Sequence, residues 1–121
     1  TERVFTLYKD PFMASEREQP WYVTLRERLR NKFLRYMGEL ARYWEENGYL
    51  DRAVEVYQRS LEADDLAEGF YQRLMLCYRE LGRGADAVDV YNRCRKTFLA
   101  VLKIEPSPKT KAIYEKLLHK I

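Results

Sequence analysis

AVEVYQR, Ala53 to Arg59, returns as AVDVYNR, Ala87 to Arg93, after a shift of 34 residues. The same shift carries Met37 to Tyr71, Leu40 to Leu74, Trp44 to Tyr78 and Gly48 to Gly82. A match sustained over so many positions is an internal repeat, and a period near 34 residues belongs to helix-turn-helix units. Two antiparallel helices joined by a tight turn carry an apolar face that one unit cannot bury alone, so neighbouring units must stack. Within each unit Ala53 and Ala87 are small where helices cross closely, and Tyr57 and Tyr91 fill the space beside them. Gly48 and Gly82 are placed to supply the left-handed residue that ends a first helix.

The spacing resembles the tetratricopeptide pattern of aromatic, Leu, small residue, Tyr and then Ala-x3-Phe. In the first unit these places are held by Met37, Leu40, Ala41, Trp44, Ala53 and Tyr57; in the second, Tyr71, Leu74, Tyr78, Ala87 and Tyr91 match. Met75 stands at the small position of the second unit and Leu99 where a closing Pro is expected, which predicts a last long helix that runs on for extra turns. The expected fold is all-α, a tetratricopeptide-like right-handed stack of antiparallel helix pairs with a long first helix.

Outward from the repeats, Pro20 suits a first-turn position. The series Trp21, Leu25, Leu29, Phe33, Met37, Leu40, Trp44 then advances by three or four residues, predicting one helix to Asn47. At 1.5 Å per residue it is roughly 40 Å long, more than one repeat needs. Its first half must therefore pack on something else, for which VFTLYKDPFM is the candidate, as a short helix over Glu2 to Lys9 and a turn at Asp10 and Pro11. Residues 1–19 are thus read as an N-terminal short helix and turn packing on the repeats, and 20–121 as the repeat domain, a single domain overall. Helices are expected over Leu50 to Ala63, Ala67 to Leu81, Ala85 to Lys103 and, after Pro106 and Pro108, Lys109 to about His119. No β alternation appears.

Composition narrows the function. With 121 residues, 46% hydrophobic and 34% charged, the chain holds one core. Mean hydropathy of -0.60 and the lack of any long apolar run give no membrane span. TERVFTLYKDPF is too charged around too short an apolar patch for a signal peptide, so a cytoplasmic location is expected. Two cysteines, Cys77 and Cys94, and the single His119 make neither a disulfide framework nor a conventional zinc site. No cofactor is expected. A net charge of +3 is below what a dedicated nucleic-acid binder carries.

LYKDPFM, PWYVTLRERLR, the two repeats, AEGFYQRLMLCYRELGR and KIEPSPKTKAIYEKLL together resemble the bacterial transcriptional activator domain over nearly the whole chain. The most specific marks are RLM at Arg73 to Met75, LGR at Leu81 to Arg83, and PSP before the final helix. The departures are Asp65 where Pro is frequent and Lys103 with Ile104 where a Leu-Gly pair is common. The resemblance implies a three-repeat tetratricopeptide-like module of bacterial transcription regulators, usually beside a winged-helix DNA-binding domain. No winged helix, GxxxxGK[ST] motif or phosphoacceptor site can be read in this chain.

The remaining candidates have structural readings. Cys77 and Cys94 fall on interior positions and read as core thiols, and His119 as a solvated helix end. Asp64 and Asp65 read as caps for the helix at Ala67. Arg26, Arg28, Arg30, Lys32 and Arg35 form the densest basic stretch but are spread around their helix, and Lys109, Lys111, Lys116 and Lys120 form a second set. No nucleophile has a base nearby, so the chain is read as non-enzymatic.

First helices line the concave side of such stacks, and their outward positions are Arg35, Gly38, Arg42 and Glu45 in one unit and Gly69, Gln72, Leu76 and Arg79 in the next. Arg35, Arg42, Gln72, Leu76 and Arg79 are the expected partner-binding residues, suited to a segment with acidic and apolar groups. The expected function is a regulatory protein-interaction module of a transcription regulator. Its partner would be another domain of that regulator, a second copy or the transcription machinery, without direct sequence-specific DNA binding or a membrane. The alternative is a stand-alone tetratricopeptide adaptor binding a partner peptide.

Overall fold

Trp21–Glu46 form the first helix, α1, followed by α2 (Leu50–Ala63), α3 (Glu68–Glu80), α4 (Gly84–Val101) and α5 (Pro108–Lys120). The computed structural model describes residues 21–120, and among these there is no strand. Each helix starts and ends within two residues of its expected bounds. The expected short helix over residues 2–9 and the turn at 10 and 11 lie outside the described residues. Contacts divide the chain into two units, residues 1–33 and 34–121, and α1 contributes to both. In the first unit the described residues are the start of α1, where Trp21, Leu25, Leu29 and Phe33 are exposed.

The second unit holds the tetratricopeptide-like stack. α3 packs on α2, α4 and α5, and α4 packs on α5. The end of α1 adds Met37 and Ala41 to a core that includes Ala53, Tyr57, Tyr71, Leu74, Ala87, Tyr91 and Leu117. Both repeat alanines are fully buried, so helices can approach closely where they cross. Met75, bulky at the position where the pattern has a small residue, is also fully buried. α5, packed on α3 and α4, takes the place of the first helix of a third pair.

The two turns have the same backbone chemistry. Gly48 and Gly82 take φ of 83° and 75°, as expected of a residue that closes a helix in the left-handed region. Behind them the Tyr49 N–H donates to the Trp44 carbonyl and the Arg83 N–H to the Tyr78 carbonyl, both at 2.8 Å. These six-to-one bonds satisfy carbonyls that a helix end leaves open. An arginine covers the aromatic ring beside each turn: Arg52 lies 4.9 Å from the Trp44 centroid and Arg83 4.8 Å from that of Tyr78.

Two departures from regularity have local causes. α4 has 18 residues against 14 in α2, the extra turn foreseen from Leu99. It keeps Phe98 buried, edge-on to the Tyr71 ring at 6.3 Å. Lys103 then takes φ of 62°, so the left-handed stop falls on a lysine where the helix geometry favours glycine. At α3, the expected capping by Asp64 and Asp65 is corrected. The N-cap is Ala67 with no side-chain cap, and Asp64 Oδ1 instead accepts the Leu66 N–H at 3.1 Å inside the turn. Asp65 acts through its carbonyl, which accepts the Tyr71 hydroxyl at 2.8 Å.

Candidate functional site

Glu45 lies in the last turn of α1, where the helix dipole disfavours a carboxylate, and its side chain is only 11% exposed. Two donors compensate. Arg73 on α3 reaches both carboxylate oxygens, with Nε 3.3 Å from Oε2 and Nη2 bonded to Oε1, and the Tyr57 hydroxyl on α2 donates to Oε2. Burial works to raise the Glu45 pKa, but the Arg73 and Tyr57 hydrogen bonds prevail and hold it below its ordinary value. Burial and the Glu45 carboxylate push the Tyr57 hydroxyl up, and the hydrogen bond to Glu45 keeps Arg73 charged. One carboxylate thereby ties three helices together. Against this pair lies a shallow cavity of about 500 Å³ lined by Arg42, Glu45, Glu46 and Arg73.

A second polar cluster fixes α5. Pro108 is the first helical residue, with its missing N–H at a position that needs none. Ser107 precedes it, its Oγ 3.4 Å from the Thr110 N–H and its carbonyl accepting the Lys111 N–H at 3.1 Å. Glu68 in the first turn of α3 accepts the Ser107 N–H at 2.8 Å and the Thr110 hydroxyl at 2.5 Å. Gln72 Nε2 donates to Thr110 Oγ1 at 2.8 Å. Thr110 is fully buried, so these bonds satisfy a hydroxyl that would otherwise be costly. Burial raises the Glu68 pKa, yet the Thr110 and Ser107 hydrogen bonds bring it below the ordinary value.

This geometry sorts the expected groove residues. Arg35 and Arg42 are exposed on α1, and Leu76 and Arg79 are half-buried on α3. Gln72 is half-buried and engaged with Thr110. Of the other outward positions, Glu45 is taken by Tyr57 and Arg73, while a Cβ at Gly38 would lie 3.4 Å from the Phe70 ring. The structure brings Arg42 together with Glu45, Glu46 and Arg73.

The roles of Glu45, Glu68 and Thr110 were not legible in the sequence. Their partners lie 28 and 42 residues away, neither of which is the repeat period. Arg73 stood out only as part of RLM, with no role attached.

Cys77 and Cys94 are buried free thiols whose pKa burial pushes up to about 12. They are unreactive core groups at neutral pH. His119 is exposed on α5. Among the described residues no three His, Cys, Asp or Glu side chains could together hold a metal ion, and no helix is long and apolar enough to cross a membrane.

The transcriptional regulatory protein MoaR1 of Mycobacterium tuberculosis is 28% identical over 74 residues, which cover 61% of this chain and 24% of the relative. The same protein of Mycobacterium bovis matches equally. The chain thus spans about a quarter of the length of these curated relatives. The pattern of the bacterial transcriptional activator domain matches residues 2–118. The chain belongs to the bacterial transcriptional activator domain family.

Proposed function

We propose that this chain is the non-enzymatic protein-interaction module of a bacterial transcription regulator whose DNA-reading part lies elsewhere in the regulator. The observation that carries the reading is the cavity at Arg42, which opens on first helices of both repeat units, α1 and α3. Its floor is already neutralised, because Arg73 is committed to Glu45. Arg42 and, further along, Arg35 and Arg79 remain to meet a partner. Guanidinium groups bind carboxylates in a two-pronged geometry, and Leu76 beside Arg79 offers an apolar anchor, so the partner segment would carry acidic and hydrophobic residues. Gln72 contributes through α5 rather than by direct contact.

A single exposed pair is worth only about 0 to 1 kcal/mol, so one substitution is a weak test. The decisive one is Arg42→Glu with Arg79→Glu in the full-length regulator, measured for melting temperature and for transcription activation. Loss of activation with an unchanged melt is expected; wild-type activation with an unchanged melt would refute the concave face as the working surface. The isolated chain should bind DNA weakly, without regard to sequence, and should lose that binding as salt rises. A tight complex that discriminates a single base pair would overturn the assignment.

A further inference from the structure

We propose that the exposed face of α5 is a self-complementary surface, on which a second copy of this chain docks its own α5 in antiparallel register. α5 lies wholly within the unit of residues 34–121 and packs on α3 and α4. On its inner side Thr110 and Leu117 are buried, and Ile113 and Tyr114 half-buried. Pro108, Lys111, Glu115 and Leu118 are exposed, Leu118 by 49%. They follow one another at steps of three, four and three residues, and at 100° per residue they fall within about 80° of arc. This is the spacing by which one helix presents a continuous seam to another.

The order of charges along the seam selects the occupant. Lys111 and Glu115 stand two positions either side of residue 113, and Pro108 and Leu118 five. A second copy related by a two-fold axis level with residue 113 therefore sets each Lys111 against the partner's Glu115 and each Leu118 against the partner's Pro108. A parallel copy would instead oppose like charges. Neither charge is spent inside the chain: among the described residues Lys111 and Glu115 enter no ion pair, and Glu105 near Lys111 is already held through both oxygens by Arg95. Ala112 on one flank of the seam is small enough for close approach. On the other flank the Tyr114 ring, stacked on Tyr91 at 4.0 Å, is fixed before any partner arrives and lies where the two-fold brings its counterpart beside it. Glu115 within the row opposes lipid headgroups and nucleic-acid phosphates alike. A seam along one 13-residue helix covers less than the roughly 1,200–2,000 Å² of a stable dimer. The contact is therefore weak, suited to copies already held near one another, where effective concentrations reach the millimolar range. It is separate from the cavity at Arg42 and stands or falls independently of it.

The test is sedimentation equilibrium of the 121-residue chain, with thermal melts to check folding. A reversible dimer with Kd on the order of 0.1 mM is expected, weakened by added salt. Lys111→Glu alone and Glu115→Lys alone each turn both attractive pairs of the dimer into like-charge pairs. Each should weaken association about tenfold or more without moving the melt. An equimolar mixture of the two variants should regain the association of the natural chain, because one brings only carboxylates to the seam and the other only amines. A folding defect in either variant would not be cured by mixing. A chain that stays monomeric at about 1 mM overturns the proposal. So does a dimer that either single variant leaves intact, which places the contact on another surface, and so does a mixture that associates no better than its components.

Discussion

Gly82 and Lys103 offer an internal control on the backbone argument, because the same physics should act on them with opposite signs. Both have positive φ, 75° and 62°. A Cβ added at Gly82 would meet nothing within 4 Å, so Gly82→Ala tests conformation without a clash. An L-residue in the left-handed region costs roughly 1–2 kcal/mol. The alanine also makes the unfolded chain less free, which returns about 0.4–1 kcal/mol. The net loss is about 1 kcal/mol. Lys103→Gly reverses both contributions and gives up only an exposed bond of 3.3 Å from the lysine amine to the Ala100 carbonyl, so it should stabilise by about 0.5–1 kcal/mol. For a domain of this size 1 kcal/mol moves the melting temperature by roughly 3–5 °C. Thermal and urea melts of the two variants should therefore shift in opposite directions. A neutral Gly82→Ala, or a Lys103→Gly that lowers stability, would show that these two stops are not governed by left-handed strain.

Further outcomes follow from the polar clusters and the core. Arg73→Met and Glu45→Gln should each destabilise, and a double-mutant cycle should find coupling of about 1–2 kcal/mol, since the pair is charge-assisted but partly exposed. Because the Glu45 pKa is lowered in the fold, its contribution is present above the ordinary carboxylate pKa and is lost as pH falls through the lowered value. Acid titration of Glu45→Gln should accordingly show a flatter loss of stability than the natural chain. Thr110→Val removes a buried donor from Glu68 and an acceptor from Gln72, and should cost about 2 kcal/mol, with faster hydrogen exchange in α5. Cys77 and Cys94 should resist iodoacetamide at pH 8 in the folded chain and label fully in denaturant; rapid native labelling would contradict their burial.

Much of the fold could be read from the order of residues because its signals are local. The 34-residue recurrence sets the unit, the glycines at its turns set where first helices stop, and Leu99 in place of proline lengthens α4. Each of these acts within a few residues along the chain, where φ, ψ and side-chain spacing suffice to decide the outcome. The family marks were legible too, but as patterns without causes. Folding assigns the causes: Arg73 is the partner of Glu45, Gly82 is the left-handed stop, and Ser107 and Pro108 start α5 while Glu68 receives the Ser107 N–H.

What only the tertiary structure decided is which polar side chains are spent inside the molecule. By helical spacing alone Arg42, Glu45 and Gln72 are equivalent outward positions. Packing of α3 across α1 and of α5 across α3 commits Glu45 to Arg73 and Gln72 to Thr110, and leaves Arg42 at the cavity. The periodicity of one helix tells which side a residue is on, but a hydrogen bond needs its partner within about 3 Å, and that distance is set by how separate helices cross.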